Sequence, residues 1–173
     1  MTGKRSAAPD ARETRWRVEP AGTEIMFEAR WMFGICTATG VFERCDGWAL
    51  LPGNGSLVGE LSIDSSSVNT GNRLRDHDLQ KKLFLDSRNY PVITLTSGDV
   101  TIAGRSIAGA GHLTVRDRSV EVPVCGTACV DADRLILKGS ATLDVRRFGW
   151  PTAFGYIRRS LIVNAAVSLV RHG

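Results

Sequence analysis

The sequence predicts an all-β fold of about eight antiparallel strands with one amphipathic helix, and three observations carry that prediction. Apolar residues recur at every second position through most of the chain, the spacing that turns one face of a strand inward. Clusters of Gly, Asn, Asp and Ser punctuate these runs, as turns between neighbouring strands require. One segment alone, residues 72–86, abandons the alternation. The 173 residues suit a single domain with a continuous core, and 18 glycines against 6 prolines fit many turns and bulges.

The elements follow in order. Trp16 and Val18 alternate with Arg15 and Arg17; Ile25, Phe27, Ala29 and Trp31 alternate with Glu24, Met26, Glu28 and Arg30. After a glycine-rich turn at Pro52 to Ser56, Leu57, Gly59, Leu61 and Ile63 repeat the pattern. Ile93 and Leu95 mark the next strand, then Leu113 and Val115, with Asp117 and Arg118 placed as a tight hairpin into Val120, Val122 and Val124. Beyond a polar turn at Asp131 to Arg134 come Leu135, Leu137, Ala141, Leu143 and Val145, and a last strand carries Leu161, Val163, Ala165, Val167 and Leu169. The exceptional segment, Asn72 to Asp86, puts Leu74, Leu79, Leu83 and Phe84 near one side at helical spacing, with Asn72 as N-cap and Pro91 barring continuation. Such elements build either an aligned sandwich or a closed up-and-down barrel. A barrel of this size is just wide enough for its own side chains or one slender ligand.

Charge and motifs exclude several functions. Residues 1–17 hold five of the 22 basic residues and two of the 18 acids, so the body is close to neutral. It lacks the basic surface that counterion release from nucleic acid rewards, and no nucleic-acid partner is expected. No run reaches the length of a membrane-spanning helix, and Met1 to Arg12 contain no apolar stretch of export type, which points to the cytoplasm. His77, His112 and His172 read as solvated polar residues, and no nucleophile elbow, phosphate loop or dinucleotide fingerprint occurs. Asp76 and Asp78 flank His77 two apart on a helix, where side chains do not share a face. Arg73, Arg75, Lys81 and Lys82 read as a solvated face that can also steer an anionic head group. Cys36, Cys45, Cys125 and Cys129 read as reduced thiols; the last two share a strand face but lack metal-ligand spacing, so no metal is expected. A thiol or metal enzyme built on Cys125 and Cys129 is the alternative these residues leave open.

Several segments together resemble the bacterial YceI-like, polyisoprenoid-binding family. They are Asp64 to Asp86 (DSSSVNTGNRLRDHDLQKKLFLD), Asn89-Tyr90-Pro91-Val92-Ile93, Gly111-His112-Leu113-Thr114-Val115 and Arg146-Arg147-Phe148-Gly149-Trp150. The likeness spans about residues 15–171, and its specificity lies in the order of the pieces. Arg75, Asp76, Leu79, Phe84, Asp86, Tyr90 and Pro91 agree with the family pattern. Asp78 stands where the family has a helix histidine, Leu83 where it has an acid, Asp117 at the hairpin glycine and Val145 at an arginine; Trp31 and Met32 occupy the neighbourhood of its early histidine.

The resemblance implies a lipocalin-like eight-stranded antiparallel barrel over 15–171, preceded by a flexible tail at 1–14. It implies a binding or carrier protein for a long isoprenoid or similar amphiphile, such as a quinone with an isoprenoid tail, with no catalysis and no other cofactor. The residues placed around such a ligand are Phe27, Trp31, Leu61, Ile63, Leu79, Phe84, Leu95, Leu113, Leu143, Phe148, Leu161 and Val163. Periodicity alone fits a filled structural core equally well. Phe148, Trp150, Phe154 and Tyr156, gathered around Gly149, Pro151 and Gly155, form either a lid or a hydrophobic plug at one end. Members of the family are often dimeric, which leaves a homodimer open.

Overall fold

The computed structural model describes residues 14–31, 36–152 and 157–172. Its strands are β1 (Thr14–Val18), β2 (Glu24–Trp31), β3 (Cys36–Phe42), β4 (Cys45–Leu51), β5 (Ser56–Asp64), β6 (Val68–Asn69), β7 (Val92–Ala103), β8 (Ser106–Val115), β9 (Arg118–Val130), β10 (Arg134–Asp144) and β11 (Ile157–His172). A single helix among the described residues, α1, covers Arg73–Leu79. β1 begins at Thr14, one residue before the expected start of the folded domain. No helix among the described residues is long and apolar enough to cross a membrane.

Eight strands close a barrel in the order β1, β4, β5, β7, β8, β9, β10, β11 and back to β1, with every pairing antiparallel. The sandwich alternative is thereby excluded. β2, β3 and β6 form a branch that leaves the barrel at β11: β2 pairs with β11, β3 with β2, and β6 with β3. β11 is the common member. Along one edge it pairs with β10 from Ser160 to Val170; along the other it meets β2 up to Ala166 and β1 from Leu169.

The change of partner is chemically managed. Pro20 starts a 3₁₀ turn that breaks the wall between β1 and β2, and a break leaves backbone donors that must be satisfied when buried. The buried Ser168 takes them up: its N–H donates to the Thr23 hydroxyl, its carbonyl accepts from Glu19 N–H, and its hydroxyl lies 3.2 Å from a Glu19 carboxylate oxygen.

β3, β4 and β6 were not anticipated, and the hairpin between β8 and β9 turns at Arg116-Asp117, one position earlier than expected. Arg116 takes the positive φ of 58° there. The expected helix over 72–86 is the main correction. Asn72 does cap it, its side-chain oxygen accepting from Leu74 and Arg75 N–H, but the helix ends at Leu79. Lys81, Phe84 and Asp86 then close successive turns, and Leu85 N–H reaches back to the Leu79 carbonyl. Leu74 and Leu83 are consequently 80% and 58% exposed rather than packed with their neighbours, while Leu85 is buried to 4%.

Two buried clusters line the two ends of the barrel. One, near α1, gathers Ile25, Val68, Leu85, Ile93, Val115 and Phe148; the other, at the far end, gathers Trp16, Leu57, Val100, Ile107, Leu135 and Leu169. The described interior is apolar throughout both.

Candidate functional site

Within these clustered walls the barrel is hollow. A compartment of about 230 Å³ occupies the middle and far end, and one of about 120 Å³ lies beneath α1. Ile25, Ile63, Leu113, Leu143 and Val163 border both, so the two compartments adjoin at a waist along the barrel. Together they reach the lower end of the roughly 300–1,000 Å³ typical of small-molecule sites. The filled-core alternative does not describe this interior.

Strand alternation positions the lining. Leu61 and Ile63 of β5, Leu95 of β7, Leu113 of β8, Leu143 of β10 and Val163 of β11 border the larger compartment. Phe27, Leu79, Phe84, Phe148 and Leu161 border the smaller one, with Ile63, Leu113, Leu143 and Val163 again. Of the residues placed around a ligand from sequence, Trp31 is the exception: its backbone pairs with Cys36 and Ile157, and its side chain lies outside the described residues. Sequence reasoning missed much of the remaining wall, including Leu57, Val100, Ile107, Val124 and Leu137 at the far end and Phe42 and Leu85 near the helix. The alternation already present in β5, β9 and β10 was the signal for Leu57, Val124 and Leu137.

Every described residue bordering the smaller compartment is apolar. The Phe27 ring lies directly over Gly40, where a Cβ would come within 2.5 Å of Phe27 Cζ, and it tilts at 48° against Phe42 with centroids 5.6 Å apart. Glycine is required at that close approach. The outer end is closed by aromatic rings: Trp150 stands edge-on to Phe84 at 6.5 Å and tilts against Phe148 at 6.0 Å. Phe148 is 2% exposed, so this pair plugs the end. Phe154 and Tyr156, the other two aromatics expected there, lie outside the described residues.

Glu60 and Lys138 border the larger compartment; Asp64, Asp144, Arg75, Asp76 and Lys81 sit on the rim and serve the fold. Asp64 and Asp144 end β5 and β10 and each caps a 3₁₀ turn, accepting from Ser66 and Arg146 N–H. Burial pushes the Asp64 carboxyl up, but hydrogen bonds from the Ser66 hydroxyl, the Arg44 guanidinium and Ser66 N–H outweigh it and bring it below the usual carboxylate range. The Arg146 side chain holds Asp144 down to about 2 against the opposing desolvation. Arg75 donates to the Thr70 hydroxyl and carbonyl, and Asp76 accepts from Thr70 N–H and hydroxyl, so both fasten the chain before α1. Lys81 is paired with Asp78 at 2.7 Å. Burial, with the Asp46 carboxylate adding to it, pushes the Cys45 thiol up; Cys125 and Cys129 are exposed on β9.

Fold and site together define a closed antiparallel barrel of lipocalin type built around an apolar tunnel. The chain matches the YceI-like domain model over residues 16–170 and belongs to that family. Its fold is similar to that of Burkholderia cenocepacia BcnA, at a TM-score of 0.78 and 16% identity over 87% of this chain and 98% of that one. It is also similar to a polyisoprenoid binding domain from Saccharophagus degradans implicated in plant cell wall breakdown, with TM-score 0.72 and 14% identity over 91% and 98% of the two chains. The Campylobacter jejuni YCEI protein gives 0.72 and 19% over 80% and 88%. No curated protein sequence matches the chain significantly.

Proposed function

We propose that this protein binds a long apolar lipid, an isoprenoid or an isoprenoid-tailed quinone, along the tunnel and serves as its carrier rather than as an enzyme. The observation that carries this reading is the pair of adjoining compartments inside the barrel, of which the helix-end one offers a ligand only apolar surface. Burial of a flexible hydrocarbon yields about 0.8 kcal/mol per CH₂-sized unit and needs no polar partner. Phe27, Leu61, Ile63, Leu79, Phe84, Leu95, Leu113, Leu143, Phe148, Leu161 and Val163 are the proposed contacts. The polyisoprenoid binding domain among the similar structures supports the same ligand class.

The test is native mass spectrometry of protein purified from its own host, followed by organic extraction. A lipid adduct that extraction removes and that rebinds to the stripped protein is expected. Protein that carries no lipid and takes up neither a polyprenol nor the fluorescent polyene retinol would refute the reading.

A further inference from the structure

In an intact sheet successive residues alternate between faces, so only every second one borders the interior. Two neighbouring strands depart from that rule at one place. Val122, Pro123, Val124 and Cys125 of β9 all border the larger compartment, and so do Lys138, Gly139, Ser140 and Ala141 of β10. Consecutive residues border a cavity where it runs past the edge of a strand. The ladder agrees, for β9 and β10 pair only from Val130–Leu135 to Gly126–Gly139. Beyond that point residues 118–125 pair with β8 alone and 140–144 with β11 alone. Five residues of strand make this fork about 17 Å long.

Its frame is specific. The fork begins at two facing glycines: a Cβ on Gly126 would fall on the Lys138 carbonyl oxygen, and one on Gly139 would lie 2.9 Å from that of Cys125. The backbones are pinned there at their closest approach. Just past the pin, Cys125 Sγ sits 3.7 Å from the Ser140 carbonyl oxygen, and at the other end the Arg147 guanidinium donates across the fork to the Glu121 carbonyl at 3.1 Å. β5 and β7 show a similar run of bordering residues around Gly59 and Ser97. Pairing there resumes on both sides of a bulge, and Gly59 N–H donates to the Ser97 hydroxyl at 2.8 Å, so that wall is closed.

A ligand leaving beneath α1 has to disrupt the Phe84, Phe148 and Trp150 rings; one leaving through the fork breaks no ladder bond and displaces the Cys125 and Arg147 side-chain contacts that cross it. We infer that the fork between β9 and β10 is a lateral portal of the tunnel, through which an apolar chain passes sideways with the Cys125 thiol on its rim. The inference rests on the proposed lipid-binding function and adds the route by which the site fills and empties.

Ser140 stands one register step beyond the glycine pin, opposite Cys125. S140C in a C129S background therefore permits a disulfide across the fork. Retinol uptake and release are followed by fluorescence in the oxidised and reduced protein. Oxidation is expected to slow both by about tenfold or more, as closing a gate does, with the final stoichiometry unchanged and reduction restoring the rates. Equal rates in the two states overturn the portal while leaving the lipid-binding reading intact; unmodified protein that carries no lipid and takes up neither retinol nor a polyprenol overturns both. Should the disulfide not form, pyrene-maleimide on Cys125 is compared with the same label on Cys129, which is exposed on the same strand within the paired stretch. Slowing at Cys125 alone supports the portal, and equal behaviour at the two thiols overturns it.

Discussion

The indole N–H of Trp150 donates to the Phe84 carbonyl oxygen across 2.8 Å, joining the turn after β10 to the turns after α1. Arg116 donates to the same carbonyl at 3.1 Å. Three separate stretches of chain thus meet on one acceptor at the closed end of the tunnel. Trp150→Phe keeps the ring and removes one donor, and is expected to cost about 1 kcal/mol in urea unfolding. Amide exchange at Leu85 should accelerate with it, and an unchanged midpoint together with unchanged exchange would show the bond to be idle.

Leu83 and Leu85 are two residues apart and face opposite surroundings. Leu85→Ala empties a buried site and should destabilise the protein by about 2–5 kcal/mol. Leu83→Ala should stay within about 0.5 kcal/mol of the parent. A reversed order in thermal denaturation would restore the longer helix that the helical spacing of Leu74, Leu79, Leu83 and Phe84 had suggested.

Gly126 tolerates no side chain because the nearest atoms are backbone. Gly126→Ala is therefore expected to cost about 2–4 kcal/mol. Gly71, at φ 72° with no atom within 4 Å of where a methyl group would stand, should cost only about 1–2 kcal/mol on the same change, from its left-handed backbone. Chemical denaturation of the two variants side by side decides whether close approach or backbone conformation dominates.

Val163 borders both compartments at the waist. Val163→Phe should obstruct the tunnel there and lower retinol affinity by about tenfold while the far-UV spectrum stays that of the parent. Undiminished binding would place the ligand elsewhere.

Asp144 titrates lower in the folded protein than in the unfolded chain, held down to about 2 by the Arg146 side chain. Its stabilising contribution is therefore complete above the unfolded carboxylate range near pH 4 and is lost as pH falls through about 2. Asp64 is shifted in the same direction. Melting temperature should decline over that window and decline less steeply in Asp144→Asn; an unaltered acid profile in that variant would assign the acid sensitivity to other carboxylates.

How far the sequence could be read depended on side-chain contrast. β10 and β11 announce themselves because large aliphatics alternate with polar residues, and their inward positions border the tunnel. β3 does not, since its sequence CTATGVF sets small residues against threonine. β4 hides for the opposite reason: Cys45, Gly47 and Ala49 share the inward register while Trp48 is exposed. The segment after α1 misled because Leu79 and Phe84 do border one compartment, but through successive turns rather than a continued helix. That the interior is hollow was beyond any pattern of polarity, because alternation specifies which side chains point inward and leaves open whether they meet. The fork at Gly126 and Gly139 was equally hidden, as ladder endings leave no mark on hydropathy.

β11 supplies partners to β1, β2 and β10 at once. Until its residues have left the ribosome, those three strands each lack a neighbour, and the nascent chain exposes the oily inner walls of an unfinished cylinder. Closure thus waits on the emergence of β11, and in the interval the chain offers bare strand edges to chaperones or to other copies of itself.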